Sequence, residues 1–293
     1  MTKPTIGFVG TGVMGLSMAG HLIDAGYPLR VYNRTAERAE PLIGRGAVWH
    51  DTPGDLAAGS DVVITIVGFP SDVEQVYLGD GGILGAMAPG TTAVDMTTSS
   101  PELAARLAEL GAQREVAVLD APVSGGDRGA REAILSIMCG GDADAYQAVL
   151  PILEVMGKNI QLQGPAGAGQ YTKMCNQIAI AAGMLGVTES MVYAKAAGLD
   201  PTHVLDSIET GAAGSWSLSN LIPRALAGDF APGFRIKHFV KDLGIAVESA
   251  REMGLNLPGL EKAIELYRRM DDAGEGDLGT QALMQLYERG EVG

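Results

Sequence analysis

Few stretches restrict a fold as much as Gly10-Thr11-Gly12-Val13-Met14-Gly15 restricts this one. Before it, Thr5-Ile6-Gly7-Phe8-Val9 is a short apolar run of the kind that forms a buried strand. After it, Val13, Met14, Met18, Leu22 and Ile23 recur at helical spacing until Gly26. Strand, glycine turn and helix in that order predict a unit whose turn receives the pyrophosphate of a dinucleotide. Gly10 permits the tight turn, Gly12 lets a phosphate approach the backbone, and Gly15 lets the helix lie close on the strand. The helix N-terminus adds unpaired N–H groups and the positive end of a dipole. Gly10, Gly12, Val13, Met14 and Gly15 are therefore candidate cofactor contacts. The bare spacing also occurs in glycine turns that hold nothing; the flanking strand and helix favour the cofactor.

Strand-like and helical runs then alternate as far as residue 163. Strands are predicted at 28–32, 47–49, 62–67, 92–96, 116–119, 134–138 and 160–162, with a helix at 143–156. The 62–67 run is almost wholly apolar, as a strand buried on both faces should be, and Val67 at its end joins the candidate cofactor contacts. Ser71-Asp72 is predicted to cap a helix containing Val73 and Val76, and Ser100 to cap one before Pro101. The second strand ends in Asn33-Arg34-Thr35, where an NAD site usually places an acid for the ribose 2′-hydroxyl. A guanidinium attracts a 2′-phosphate that a carboxylate would repel, so NADP(H) is expected over NAD(H). The plainer alternative for Arg34 is a solvated surface arginine.

This alternation predicts an N-terminal Rossmann domain, a doubly wound parallel sheet in α/β style, over 1–163. Gly164, Pro165, Gly167 and Gly169 mark a boundary, and 164–293 reads as all-helical, with helices at 169–197, 201–211, 219–226, 236–253, 257–271 and 280–289. The 293 residues allow two domains, and 41 glycines suit many tight strand–helix turns. The formal net charge of −14, with no basic stripe, argues against a nucleic-acid partner. Cys139 and Cys175 form neither a disulfide framework nor a metal-ligand pattern, and both read as buried thiols. Residues 176–194 are apolar over a span-like length but carry Glu189, so a core helix is expected rather than a membrane span. Met1-Thr2-Lys3-Pro4 leads straight into the first strand, which is read as no signal peptide and a cytoplasmic protein.

Three places carry candidate chemistry. Thr97-Thr98-Ser99-Ser100 follows a predicted strand, where hydroxyls can hold nicotinamide or substrate. Asp120-Ala121-Pro122-Val123-Ser124-Gly125-Gly126 follows another; Ser124, Gly125 and Gly126 offer backbone N–H groups suited to a carboxylate, or form an ordinary glycine turn. Lys173 stands in an otherwise uncharged helix start, with Asn176 three residues on and on the same face. Such a lysine moves a proton if its pKa falls toward neutrality; otherwise it simply snorkels. Trp216, in the glycine-rich Gly214-Ser215-Trp216-Ser217 stretch, is either a pocket wall or core packing. Arg128 and Arg131 either face an acidic substrate or are solvated.

Taken together, Gly10 to Gly15, Asn33-Arg34-Thr35, Thr98, Asp120 to Gly126 and Gly169 to Asn176 resemble, in order and spacing, the β-hydroxyacid dehydrogenase family. The resemblance covers essentially the whole chain. That family includes 3-hydroxyisobutyrate dehydrogenases, tartronate semialdehyde reductases and glyoxylate/succinic semialdehyde reductases. It implies hydride transfer between NADP(H) and a small carboxylate-bearing β-hydroxy acid or semialdehyde, with Lys173 as general acid and base. It implies that Asn176, Ser124, Gly125 and Gly126 bind substrate, with Gln177 beside them where the family often has a second asparagine. It implies that Thr98 lies by the nicotinamide ribose and Lys241 near the cofactor. It further implies a long helix joining the domains, and a homodimer or homotetramer. The loop after Gly126 also departs from the family, reading Asp127-Arg128-Gly129-Ala130 where many members have Gly-Thr before the strand. The alternative enzyme is an imine reductase or reductive aminase of the same fold, against which Lys173 and the Ser124 loop both argue. A decarboxylating 6-phosphogluconate-type enzyme and a non-catalytic NADP-binding module are weaker alternatives.

Overall fold

The computed structural model describes residues 3–293. Contacts divide the chain into two compact units, the first ending at Lys173 and the second running from Met174 to Gly293.

The first unit is built on a nine-stranded sheet. Its elements run β1 (Ile6–Val9), α1 (Val13–Asp24), β2 (Leu29–Tyr32), β3 (Val48–Trp49), β4 (Val62–Thr65), α2 (Pro70–Leu78), β5 (Thr92–Asp95), α3 (Pro101–Ala112) and β6 (Ala117–Asp120). Then come β7 (Val123–Ser124), α4 (Gly126–Arg131), β8 (Leu135–Gly140), α5 (Ala143–Leu153), β9 (Gly157–Gly164) and the start of α6 (Ala168–Ala196). The strand order is β3-β2-β1-β4-β5-β6-β8-β7, with β9 on β8, and the first six strands are mutually parallel. The order reverses between β1 and β4, the switch point at which such sheets bind ligands. Register makes the carboxyl ends level: Val9 lies beside Tyr32 and Thr65, Thr65 beside Asp95, and Asp95 beside Asp120.

Period-two alternation sends Ile6, Phe8, Ile64 and Val94 to one face, packed with Met18 and Leu22, and Val9, Val63 and Ala93 to the other, packed with Leu56, Tyr77 and Leu107. The expected parallel sheet ends at β6, beyond which it is mixed. Only Ala121 and Pro122 separate β6 from β7, too few for a crossover, and β8 runs antiparallel to both. Ser124 thus belongs to a two-residue strand and not to a loop. The cap expected of Ser71-Asp72 is shifted: α2 begins at Pro70, and Asp72, in its first turn, accepts Phe69 N at 3.1 Å. Ser100 caps α3 as expected, accepting Leu103 N at 3.1 Å.

The second unit is built of helices and their connecting loops, with an isolated antiparallel bridge between Arg235 and Gly279. The remainder of α6, α7 (Pro201–Ile208), α8 (Ile236–Glu252) and α9 (Pro258–Met270), with shorter helices at Trp216–Asn220, Ile222–Leu226 and Leu283–Glu288, enclose Met184, Met191, Phe239, Leu243 and Tyr267. Phe239 meets Tyr267 edge to face at 5.0 Å, and the Tyr267 hydroxyl donates to Thr280 O at 2.9 Å, so the buried phenol is satisfied. The single helix expected at 219–226 is two short ones, with Pro223 in the first turn of the second; proline has no N–H to continue the earlier helix. The long helix is less buried than expected. Met174, Ala181, Met184, Val187 and Met191 are buried, but Cys175, Ala179, Ala182, Gly186 and Tyr193 form an exposed stripe. Cys175 is therefore exposed, contrary to the sequence reading, whereas Cys139 is buried and its thiol is pushed up to about 12, chiefly by burial.

Candidate active site

The glycine turn leaves the carboxyl end of β1. Gly10 has φ +100°, and a Cβ there would stand 2.0 Å from Ile66 O; a Cβ on Gly15 would stand 1.9 Å from Gly10 O. Both glycines are required by the closeness of β1, α1 and the end of β4. Gly12 differs: nothing lies within 4 Å of a Cβ built on it. It precedes α1 without a side-chain cap, and Val13 beside it is 72% exposed. An open backbone at a helix N-terminus fits a pyrophosphate. Met14, next along, is half-buried against the sheet core.

Asn33, Arg34 and Thr35 leave β2 beside this turn, but they do different work. The Asn33 amide is committed within the protein, its Oδ1 accepting Thr11 N at 3.0 Å and its Nδ2 donating to Thr35 O at 2.8 Å. It ties the end of β2 to the glycine turn. Arg34 has a side chain 87% exposed and meets Asp72 Oδ1 at 3.4 Å. Thr35 is exposed at the start of a short 3-10 turn.

A buried polar chain fixes the next strand ends. Thr65 Oγ1 donates to Asp95 Oδ1 at 2.8 Å and pairs with the Tyr77 hydroxyl at 3.2 Å. Thr97 N donates to Asp95 Oδ1 at 3.1 Å, and Thr97 Oγ1 accepts Val67 N at 3.0 Å. Val67 is therefore tied to Thr97, which rests in turn on the buried Asp95, an acid the sequence did not single out; Thr98, next along, is half-buried. Burial pushes the Asp95 carboxyl up from 3.8 to about 6 against the hydrogen bonds from Thr97 and Thr65, and burial pushes the Tyr77 phenol up as well.

Beyond β6, Ser124 ends β7 and Gly125 and Gly126 follow at φ +131° and +61°, opening α4. Lys173, in the second turn of α6, is only 6% exposed, and its Nζ donates to Val123 O at 2.8 Å, one residue before Ser124. The lysine and the Ser124–Gly126 segment thus meet within one unit, at the strand-end row that also carries the glycine turn. Arg128 and Arg131 pair with Glu132 and Asp127 on their own helix, which matches the solvated reading.

In the helical unit, Asn176 Nδ2 donates to Gln177 Oε1 at 2.8 Å, and Gln177 Nε2 donates to Asp242 Oδ2 at 2.6 Å. Gln177 is buried with both ends of its amide engaged, so its expected place among the substrate contacts is filled by a scaffold role. Lys241 Nζ lies 2.9 Å from Asp242 Oδ1. Trp216 is 63% exposed, so it is not core packing; Ser215 before it caps the helix by accepting Leu218 N at 3.1 Å. Among the described residues no group of three or more His, Cys, Asp and Glu side chains is arranged to hold a metal.

Comparison with known proteins gives a consistent picture. Residues 5–164 match the family model described as the NAD binding domain of 6-phosphogluconate dehydrogenase, and residues 167–287 that described as NAD-binding of NADP-dependent 3-hydroxyisobutyrate dehydrogenase. An uncharacterized oxidoreductase of Bacillus subtilis is 56% identical, over 97% of this chain and 99% of its own. The 2-hydroxy-3-oxopropionate reductase of Escherichia coli is 39% identical over 97% of each chain. The solved structure of a Mycobacterium tuberculosis 3-hydroxyisobutyrate dehydrogenase with L-serine superposes with a TM-score of 0.90 at 30% identity, covering 98% of this chain and 99% of that one.

Two outcomes follow from this geometry. Gly10→Ala should lower the unfolding free energy by about 2 kcal/mol or more in urea titrations, whereas Gly12→Ala should cost under about 1 kcal/mol and still weaken nicotinamide dinucleotide binding roughly tenfold. Folded Asp95 holds its proton to higher pH than the unfolded chain does, so its contribution is complete below 3.8 and is lost as pH rises through about 6. Between those limits the stability difference between the parent and Asp95→Asn should change by roughly 3 kcal/mol, the parent losing ground as pH rises. Denaturant titrations across that window measure it, and parallel curves for the two proteins would contradict the assignment.

Proposed function

Because this chain belongs to the β-hydroxyacid dehydrogenase family, we propose that it is an NADP-preferring oxidoreductase of a small β-hydroxy acid or its semialdehyde, aldehyde acids of the glyoxylate type included. One observation carries this reading: the buried Lys173 ammonium lies 2.8 Å from the Val123 carbonyl, next to Ser124. A lysine so placed can hand a proton to a carbonyl whose carboxylate rests on the adjoining glycines. The exposed guanidinium of Arg34, and the absence of an acid at the end of β2, support NADP.

When bound, the nicotinamide supplies or accepts the hydride. The chain's own residues do the rest. The open backbone at Gly12 and the N-terminus of α1 take the pyrophosphate, and Arg34 takes the 2′-phosphate through charge-assisted hydrogen bonds. Thr98 would contact the nicotinamide ribose. Backbone N–H groups around Ser124, Gly125 and Gly126 take the substrate carboxylate. Lys173 gives its proton to the carbonyl oxygen in reduction and takes it back in oxidation, and its positive charge stabilises the developing alkoxide. Asn176, one turn along the same helix, orients the substrate. The same reading takes the protein as a cytoplasmic homodimer or homotetramer acting on small molecules, with neither nucleic acid nor membrane as partner.

The test is NADPH and NADH consumption on glyoxylate, succinic semialdehyde, tartronate semialdehyde and a cyclic imine. Turnover of an aldehyde acid with NADPH is expected, and turnover of the imine alone would reassign the protein to the reductive aminases. Lys173→Ala should lower kcat by about 10²–10⁴-fold with cofactor affinity unchanged, and near-parent turnover in that variant would remove the lysine from the chemistry. Arg34→Ala should shift the NADPH/NADH preference toward NADH by roughly 10–100-fold, read as the ratio of kcat/KM values.

A further inference from the structure

We infer that Asp120 and Gln170 are positioning residues that together set where Lys173 stands, by clamping the first turn of α6 to the ends of β5 and β6. This rests on Lys173 being the proton donor proposed above.

Asp120 is the first residue of the Asp120-Ala121-Pro122-Val123-Ser124 stretch, yet its carboxylate does not point to a ligand. It is buried, and Oδ1 accepts Gly167 N at 2.7 Å while Oδ2 accepts Gln170 N at 2.8 Å. These donors belong to the start of α6, whose N–H groups have no partners within the helix. A residue at the end of a strand thus caps a helix whose own start offers only Ala166, Gly167, Ala168 and Gly169. Gln170 makes the second tie. It is fully buried, its Oε1 accepts Ser99 N at 3.0 Å and its Nε2 donates to Thr97 O at 2.8 Å. Its amide pairs with the turn after β5 much as a neighbouring strand would.

The fit is close enough to exclude side chains. A Cβ on Gly169 would stand 2.3 Å from Met138 O and 2.7 Å from Asp120 Oδ2, and one on Gly140 would stand 2.6 Å from Asp120 Oδ1 and 2.7 Å from Gly169 N. Lys173 follows Gln170 by three residues, one helical turn, and so inherits the position and rotation of that turn. Gln170 also bonds the turn that holds Thr97 beneath Val67, so one amide links the lysine to the loops assigned to the cofactor. An error of 1 Å in such a placement costs about 10²-fold in rate. A cap that serves only stability would leave the rate of the folded enzyme unchanged.

The experiment compares the parent, Gln170→Met, Asp120→Asn and Lys173→Ala as full-length proteins. It measures kcat and KM for the best aldehyde acid, NADPH affinity by fluorescence, and the acetylation rate of Lys173 relative to the exposed Lys158 by mass spectrometry. We expect kcat to fall about 100-fold in Gln170→Met and Asp120→Asn, with KM and NADPH affinity within about threefold and Lys173 acetylated at least about fivefold faster. If Gln170→Met does not fold, Asp120→Glu, which keeps the charge and moves the carboxylate by one methylene, gives the same readings. Unchanged kcat and unchanged Lys173 labelling in the folded variants would overturn the inference. If the parent turns over no carbonyl and Lys173→Ala alters nothing, the catalytic reading fails, and the labelling rates alone then decide for or against the clamp.

Discussion

The Asp120 carboxylate, buried at the end of β6 and accepting N–H groups from the start of α6, is the contact on which the placement of Lys173 within the sheet unit most depends. A buried carboxylate is unfavourable unless its charge is met, and here backbone donors meet it. Burial still pushes its pKa up, with the Gly167 and Gln170 N–H groups opposing the shift. The same contact explains why the first turn of α6 groups with the sheet although most of that helix lies in the helical unit. Through it a 29-residue helix begins at a defined place beside the strand ends, and Lys173 comes to lie against Val123.

The level row Val9, Tyr32, Thr65, Asp95, Asp120 gives that place its chemistry. Parallel strands in register bring successive loops to one edge of the sheet, where each supplies a different kind of contact. The glycine turn supplies open backbone, the end of β2 supplies a guanidinium, the end of β5 supplies hydroxyls, and the β7–α4 turn supplies backbone N–H groups. Of the two buried acids in the row, Asp95 holds the turn after β5 through Thr97 N, and Asp120 holds the start of α6.

Much of this was legible in the sequence because its signals are local. A G-x-G-x-x-G turn between an apolar strand and an amphipathic helix states its conformation within a few residues, and the six parallel strands announce themselves by composition. What escaped the sequence reading lies in pairings between distant residues. Gln177 and Asp242 are 65 positions apart, and nothing near Gln177 reveals that its amide supports the helical unit. Asp120 sits in a motif that points to substrate, yet its partners are 47 and 50 positions away. Val123–Ser124 is too short to show any periodicity, and the antiparallel course of β8 follows from loop length, which composition does not encode. Apart from Tyr193, the exposed stripe of α6 is built from alanine, glycine and cysteine, types that read equally well as core.

The contact between Arg34 and Asp72 has one more consequence. Asp72 accepts Phe69 N in the first turn of α2, where a helix dipole also favours its charge. That carboxylate is therefore compensated whether or not Arg34 is beside it. The guanidinium rests on its neighbour without being needed there. It can be lent to another anion while the loop after β4 keeps its shape, so at this corner of the molecule the exchange of one counter-ion for another is uncoupled from local folding.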